Sequence, residues 1–135
     1  MDLARRLGVA FQILNDIRDL DDDRNDRRCG EDLSAGKLTY VIVRALERLS
    51  GPDRKRLEQI ICNKRLRKNP EHLAEGMRLV RKSGAAGACK KEAEEMVESG
   101  WNAFSSRIPA SEHKLMLRLF SRGLVGDRKQ KRGPA

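Results

Sequence analysis

Oxygen-bearing side chains gather in one short stretch, residues 11–19, which reads Phe-Gln-Ile-Leu-Asn-Asp-Ile-Arg-Asp. In an α-helix, residues three, four and seven positions apart share a face. The polar side chains that such a helix would place together are Gln12, Asn15, Asp16, Asp19 and Asp23. Two carboxylates at i and i+3, with amide oxygens beside them, suit a hard divalent cation that takes oxygen ligands and keeps several waters. The stretch therefore predicts a metal-binding helix face.

A second polar stretch follows at residues 30–39, Gly-Glu-Asp-Leu-Ser-Ala-Gly-Lys-Leu-Thr. Its two glycines indicate a loop, and Lys37 can meet a phosphate as a point charge. The order of the two stretches, first acidic oxygens and then a lysine loop, favours a site that holds a metal and a phosphate together.

Helices must position both stretches. The opposite face of the first helix is apolar and would anchor it in a core through Leu3, Leu7, Ala10, Ile13, Leu14, Ile17 and Leu20. This helix is predicted to end near residue 24. Later helices are predicted over residues 39–49, from the turn at 50–52 to about 67, from 69 to 83, from 85 to about 107, and after Ser111. In the last helix, we expect four apolar side chains to turn inward: Leu115, Met116, Leu119 and Phe120.

No segment shows the period of two that is typical of a strand, so the sequence predicts an all-α fold of about six helices. Residues 1–125 are expected to form one helical domain. Residues 126–135 are too polar to pack and are predicted to be a disordered basic tail.

The two polar stretches resemble a known family. Phe11, Gln12, Asn15, Asp16 and Asp19, followed by Gly30, Asp32, Leu33, Gly36, Lys37 and Thr39, are similar to the second aspartate-rich region of the trans-polyprenyl diphosphate synthases. The resemblance implies the C-terminal half of an isoprenoid-synthase-type helical bundle. It also implies Mg²⁺-dependent prenyl transfer from an allylic diphosphate to isopentenyl diphosphate.

Roles carried over from the family fall on a few residues. The resemblance implies that Asn15, Asp16 and Asp19 hold Mg²⁺, and that Lys37 and Arg27 bind diphosphate. It makes Gln12, Lys37 and Thr39 the catalytic residues, with Gln12 near the reacting carbons and the Thr39 hydroxyl lining the pocket.

One position departs from the family pattern, because Asn15 stands where the family has an aspartate. The spacing of Asn15, Asp19 and Asp23 also fits the metal triad of class I terpene cyclases, so a cyclase fragment is an alternative. A second alternative is a non-catalytic paralogue that packs against a complete synthase.

The first aspartate-rich motif of the family does not occur in this sequence. We therefore expect a C-terminal portion, whether fragment, split gene product or shortened paralogue, that is inactive alone. It would act as a homodimer or with a partner that supplies the first half of the site. The product chain length cannot be read from these residues.

Composition limits the other functions. The formal charge is +9 and aromatics are only 4% of residues, and Lys and Arg are spread along helix faces, so nucleic-acid binding is not expected. The odd, widely spaced thiols Cys29, Cys62 and Cys89 favour a reduced, cytoplasmic protein. No apolar run approaches the roughly 18 residues of a membrane span.

Overall fold

The computed structural model describes residues 2–18, 20 and 30–125. This part of the chain contains α-helices and no β-strand, which confirms the predicted all-α class. The helices are α1 (Leu3–Arg18), α2 (Glu31–Ser34), α3 (Tyr40–Arg48), α4 (Gly51–Cys62), α5 (Lys64–Lys68), α6 (Pro70–Lys82), α7 (Ala85–Ser105) and α8 (Glu112–Val125). None of these helices is both long and apolar enough to cross a bilayer. The predicted end of the first helix near residue 24 is wrong, because the helix ends at Arg18 and the Leu20 N–H donates to the Ile17 carbonyl in a turn, at 3.1 Å. The predicted tail, residues 126–135, lies outside the described residues.

Two short helices, α2 and α5, explain why eight helices are described where about six were expected. The sequence predicts a continuous helix to about residue 67, but the helix ends at Cys62 and a new one begins at Lys64. Asn63 causes the break: its backbone is extended and its side chain accepts hydrogen bonds from the N–H groups of Arg65 and Leu66, at 3.0 and 3.4 Å. Asparagine is a strong N-cap because it satisfies these otherwise unbonded donors.

The chain divides into two compact units, Asn15–Lys90 on the one hand and Met1–Leu14 with Lys91–Ala135 on the other. In the unit 15–90, helix α6 packs against α2, α3, α4 and α5. Gly76 lets α2 and α4 approach α6, because a Cβ there would lie 3.0 Å from Leu33 and 3.3 Å from Ile60. Leu33 and Ile60 are almost completely buried and form the centre of this unit.

In the other unit, small residues recur along the buried side of α7. Ala93 and Val97 are fully buried. A Cβ at Gly100 would lie 2.6 Å from Arg6 Cδ, so the glycine allows α1 and α7 to come close. Trp101 on the same helix is also buried.

The prediction for α8 is wrong. Four apolar side chains expected to turn inward are instead 60–66% exposed: Leu115, Met116, Leu119 and Phe120. Helix α8 meets α7 through polar side chains. Arg118 Nη2 donates to both carboxylate oxygens of Glu98, at 2.8 and 2.7 Å, and its guanidinium lies 5.2 Å from the Trp101 ring centroid. Because these bonds orient the helix, its large apolar face is directed to solvent.

Candidate functional site

Helix α1 brings Asn15 and Asp16 into its last turn. The helix is anchored by Ala10, Ile13 and Leu14, which are 0, 2 and 8% exposed, as the apolar stripe predicted. Ile17 is half-buried, and Gln12 is exposed on the same helix. The helical periodicity therefore predicts the anchored side of α1 correctly.

Asp16 is a carboxylate that is only 7% exposed. The other buried polar or charged residues of the described part are Thr39, 6% exposed, and Ser121. Removing a carboxylate from water is costly unless bonds or a cation compensate for the lost hydration. Two of these three buried polar residues, Asp16 and Thr39, are residues that the family resemblance assigns to the site.

Asn15 is half-buried, and its Oδ1 accepts a hydrogen bond from Arg18 Nη1 at 3.3 Å. Asn15 and Asp16 together offer hard oxygen donors, the type that Mg²⁺ takes, so the donor chemistry fits this ion. They supply one negative charge. Within the described residues, no three His, Cys, Asp or Glu side chains lie close enough to hold a metal ion. Asp19, the third predicted ligand, and Asp23 lie outside the described residues.

Helix α6 holds the chain on both sides of the segment 21–29. Arg81 donates from Nε and Nη2 to the carbonyl oxygen of Leu20, at 3.3 and 3.1 Å. One helical turn earlier, Met77 lies against Gly30, where a Cβ would be 2.5 Å from the Met77 sulfur. Leu20, which follows the predicted metal-binding stretch, and Gly30, which opens the lysine loop, therefore both contact α6.

The lysine loop is held by backbone hydrogen bonds. The Lys37 N–H donates to the Asp32 carbonyl at 2.9 Å, and the Gly36 N–H donates to the Leu33 carbonyl at 3.0 Å. The Lys37 ammonium is 3.8 Å from Asp32 Oδ1, and its side chain is 59% exposed. An ion pair this exposed is weak, so the ammonium remains available to an anion that approaches from solvent.

The Arg67 side chain packs against Gly36 of the lysine loop. This contact was not predicted from the sequence. Gly36 has φ +74°, and a Cβ there would lie 2.7 Å from the Arg67 guanidinium carbon. Arg67 Nη1 donates to the Ile61 carbonyl, and Lys68 Nζ donates to Ser34 Oγ at 3.4 Å. The basic run of α5 thus lies beside the lysine loop. The available signal was this run of four cations in five residues; nothing in the local pattern pointed to Arg81.

Thr39 has a structural role as the N-cap of α3. Its Oγ1 accepts a hydrogen bond from the Ile42 N–H at 3.3 Å, which satisfies one of the donors at the helix start. This cap fixes the point where the loop turns into α3. Arg27, the second predicted diphosphate ligand, lies outside the described residues.

Comparisons with known proteins show which family the chain resembles. The sequence model of the polyprenyl synthetase family matches residues 1–80. A short chain isoprenyl diphosphate synthase of Methanothermobacter thermautotrophicus is 42% identical over 62 residues, which is 44% of this chain and 19% of that protein. An enzyme of the same name from Methanocaldococcus jannaschii is 32% identical over 84 residues, 61% of this chain and 25% of the relative.

A longer match is to the all-trans-nonaprenyl-diphosphate synthase (geranyl-diphosphate specific) of Rhodobacter capsulatus, 31% identical over 116 residues, 84% of this chain and 34% of the relative. No solved structure shows a significant match. The chain belongs to the polyprenyl synthetase family. It spans between about a fifth and a third of the length of these curated relatives.

Proposed function

We propose that the chain provides the second metal and diphosphate face of a Mg²⁺-dependent prenyltransferase, which transfers an allylic group to isopentenyl diphosphate. The observation that carries this proposal is the burial of Asp16 in the last turn of α1. A buried carboxylate at a motif position, beside an amide oxygen and on a helix end held by Arg81, is the arrangement that a preorganised metal ligand requires. Relatives named isoprenyl diphosphate synthases support the choice of substrates.

Each residue then has a chemical task. Asn15, Asp16 and Asp19 would hold Mg²⁺, which when bound supplies Lewis-acid stabilisation of a departing diphosphate. The Lys37 ammonium binds diphosphate oxygens, and Arg27 adds a second cation. Gln12, exposed on α1, lies near the reacting carbons.

The rest of the site must come from elsewhere in the family fold, because the chain matches at most 34% of the curated relatives described above. In the proposal, another polypeptide segment supplies the first aspartate-rich motif and most of the cavity wall. That segment belongs either to the same protein or to a different partner protein; the family resemblance separately implies a homodimer. The reaction is placed in the cytoplasm, as the cysteine pattern predicts.

One observation favours a non-catalytic paralogue as the second candidate. Asn15 lacks the family carboxylate, and its amide oxygen is already bonded to Arg18. An amide adds no charge to a Mg²⁺ site, so metal affinity would fall. The cyclase alternative depends on Asp19 and Asp23, outside the described residues, and no comparison favours it.

The proposal is tested by reconstitution. The complementary segment is defined as the part of the Rhodobacter capsulatus synthase that lies outside the region matched by this chain. Co-purified with the chain and supplied with Mg²⁺, an allylic diphosphate and radiolabelled isopentenyl diphosphate, the pair should elongate. Asp16→Ala should lower turnover by about 10- to 100-fold. Asp53→Ala serves as the matched control, since Asp53 is paired with Lys82 outside the site. Equal turnover by the two variants would refute the assignment.

A further inference from the structure

Helix α8 presents a large unpartnered apolar face. Four apolar residues form this face: Leu115, Met116, Leu119 and Phe120. They occupy positions i, i+1, i+4 and i+5, so they lie on one side of the helix, and each side chain is 60–66% exposed. Isolated exposed leucines need no explanation, but contiguous apolar patches of several hundred Å² mark interaction sites. We call these four residues the α8 face.

The orientation of α8 is fixed by bonds on its other side. Lys114 Nζ donates to the carbonyl oxygens of Ser105 and Ile108, at 2.8 and 3.1 Å. Arg118 pairs with Glu98, and the fully buried Ser121 donates to the carbonyl of Leu117 at 2.8 Å. Since the bonds of Lys114 and Arg118 reach groups outside α8, the α8 face cannot turn inward without breaking them.

The distribution of apolar residues around α8 identifies the kind of environment it needs. Leu117 and Leu124 are half-buried and continue the apolar side next to Phe120, whereas Lys114, Arg118 and the buried Ser121 form the opposite, polar side. Because the polar side is the one that packs against the protein, the apolar side is left for a further protein segment to cover. A helix that lies on a membrane surface instead keeps its basic side chains free for headgroups, whereas Lys114 and Arg118 are engaged within the protein.

We propose that the α8 face is the docking surface for helices of the part of the synthase fold that this chain does not include. This inference rests on the proposed function, in which a second segment completes the site. About two thirds of the Rhodobacter capsulatus relative lies outside the matched region, so ample helical chain is available to cover the face. A second copy of this chain is disfavoured because each copy carries a formal charge of +9.

The test uses the full chain, co-expressed with the tagged complementary segment. The double variant Leu119→Gln/Phe120→Gln should weaken co-purification and raise the dissociation constant by roughly tenfold or more, since exposed apolar anchors dominate such contacts. Val43→Gln, which alters another exposed apolar residue, 40% exposed on α3, is the matched control and should bind like wild type. The double variant and Val43→Gln should both keep the wild-type circular dichroism spectrum, because all three substituted residues are exposed. Hydrogen exchange should slow at α8 amides only when the segment is bound.

Three results would overturn the inference. The first is failure of the wild-type chain to capture the segment, or capture that the double variant does not weaken. The second is a dimer of the chain alone, seen by light scattering, that the double variant dissociates. The third is binding of the chain to vesicles of phosphatidylcholine and phosphatidylserine that the double variant abolishes.

The docking surface and the proposed function fail in different ways. A complex that depends on the α8 face but shows no turnover with Mg²⁺ would leave the docking surface intact and refute the function. Turnover by a complex that is insensitive to the double variant would keep the function and refute the docking surface.

Discussion

Replacing Gly36 by alanine should destabilise the protein through two separable effects. Gly36 has φ +74°, a conformation that costs an ordinary residue roughly 1–2 kcal/mol. The new Cβ would also lie 2.7 Å from Arg67 Cζ and 2.9 Å from Nη2. The guanidinium must then move and weaken its bond to the Ile61 carbonyl, which adds about 1 kcal/mol. We expect the free energy of unfolding to fall by about 2–3 kcal/mol in all.

Gly51 provides the matched control. It also has positive φ, +57°, but no atom lies within 4 Å of its would-be Cβ. Gly51→Ala should therefore show only the conformational cost of about 1–2 kcal/mol. In an Arg67→Ala background, the cost of Gly36→Ala should fall to that same value, because the steric partner has been removed.

Urea unfolding followed by circular dichroism measures all of these free energies. The reasoning fails if Gly36→Ala costs no more than Gly51→Ala, or if its cost is unchanged in the Arg67→Ala background. Either result would show that Arg67 does not shape the loop that presents Lys37.

Three other predictions concern activity and stability. The chain alone, incubated with Mg²⁺ and both diphosphates, should not elongate; turnover well above background would contradict its role as half of a site. Gly8→Ala should raise the free energy of unfolding by about 0.5–1 kcal/mol, because Gly8 lies within α1 with no atom near its would-be Cβ; unchanged or lower stability would count against that helix. Hydrogen bonds from Arg56 lower the pKa of Glu75 below its ordinary 4.5. The stabilisation by this pair should be complete above pH 4.5 and disappear as the pH falls through the lowered pKa, so wild type and Glu75→Gln should converge in stability in acid.

The anchored side of α1 was predictable because it depends on local periodicity. Ala10, Ile13 and Leu14 recur at helical spacing, and any core on that side buries them. The supports of the site were not predictable in the same way. Arg81 is 61 residues from Leu20 in sequence, and Arg67 meets a glycine 31 residues earlier. Contacts between residues so distant depend on tertiary packing, which no window along the chain contains.

Helix α8 shows why an apolar pattern does not determine which face is buried. Its apolar residues share one side, which periodicity predicts to be buried, but the polar side with Lys114, Arg118 and Ser121 is the one that packs against the protein. Lys114 and Arg118 decide the orientation through bonds to α7. The break at Asn63 was missed for a different reason: a polar residue in a helix-rich stretch can either continue the helix or cap the next one.

The most direct test of the central claim is calorimetric titration of pyrophosphate, with and without Mg²⁺, into the chain reconstituted with the complementary segment. If Asn15 and Asp16 form a metal-diphosphate face, Asn15→Asp should strengthen the Mg²⁺-dependent binding by about tenfold, which is worth about 1.4 kcal/mol, because it adds a charged oxygen ligand. Asp16→Ala should weaken that binding by a similar or larger factor. Indistinguishable binding by wild type and both variants would contradict the claim and would make the non-catalytic paralogue the better account.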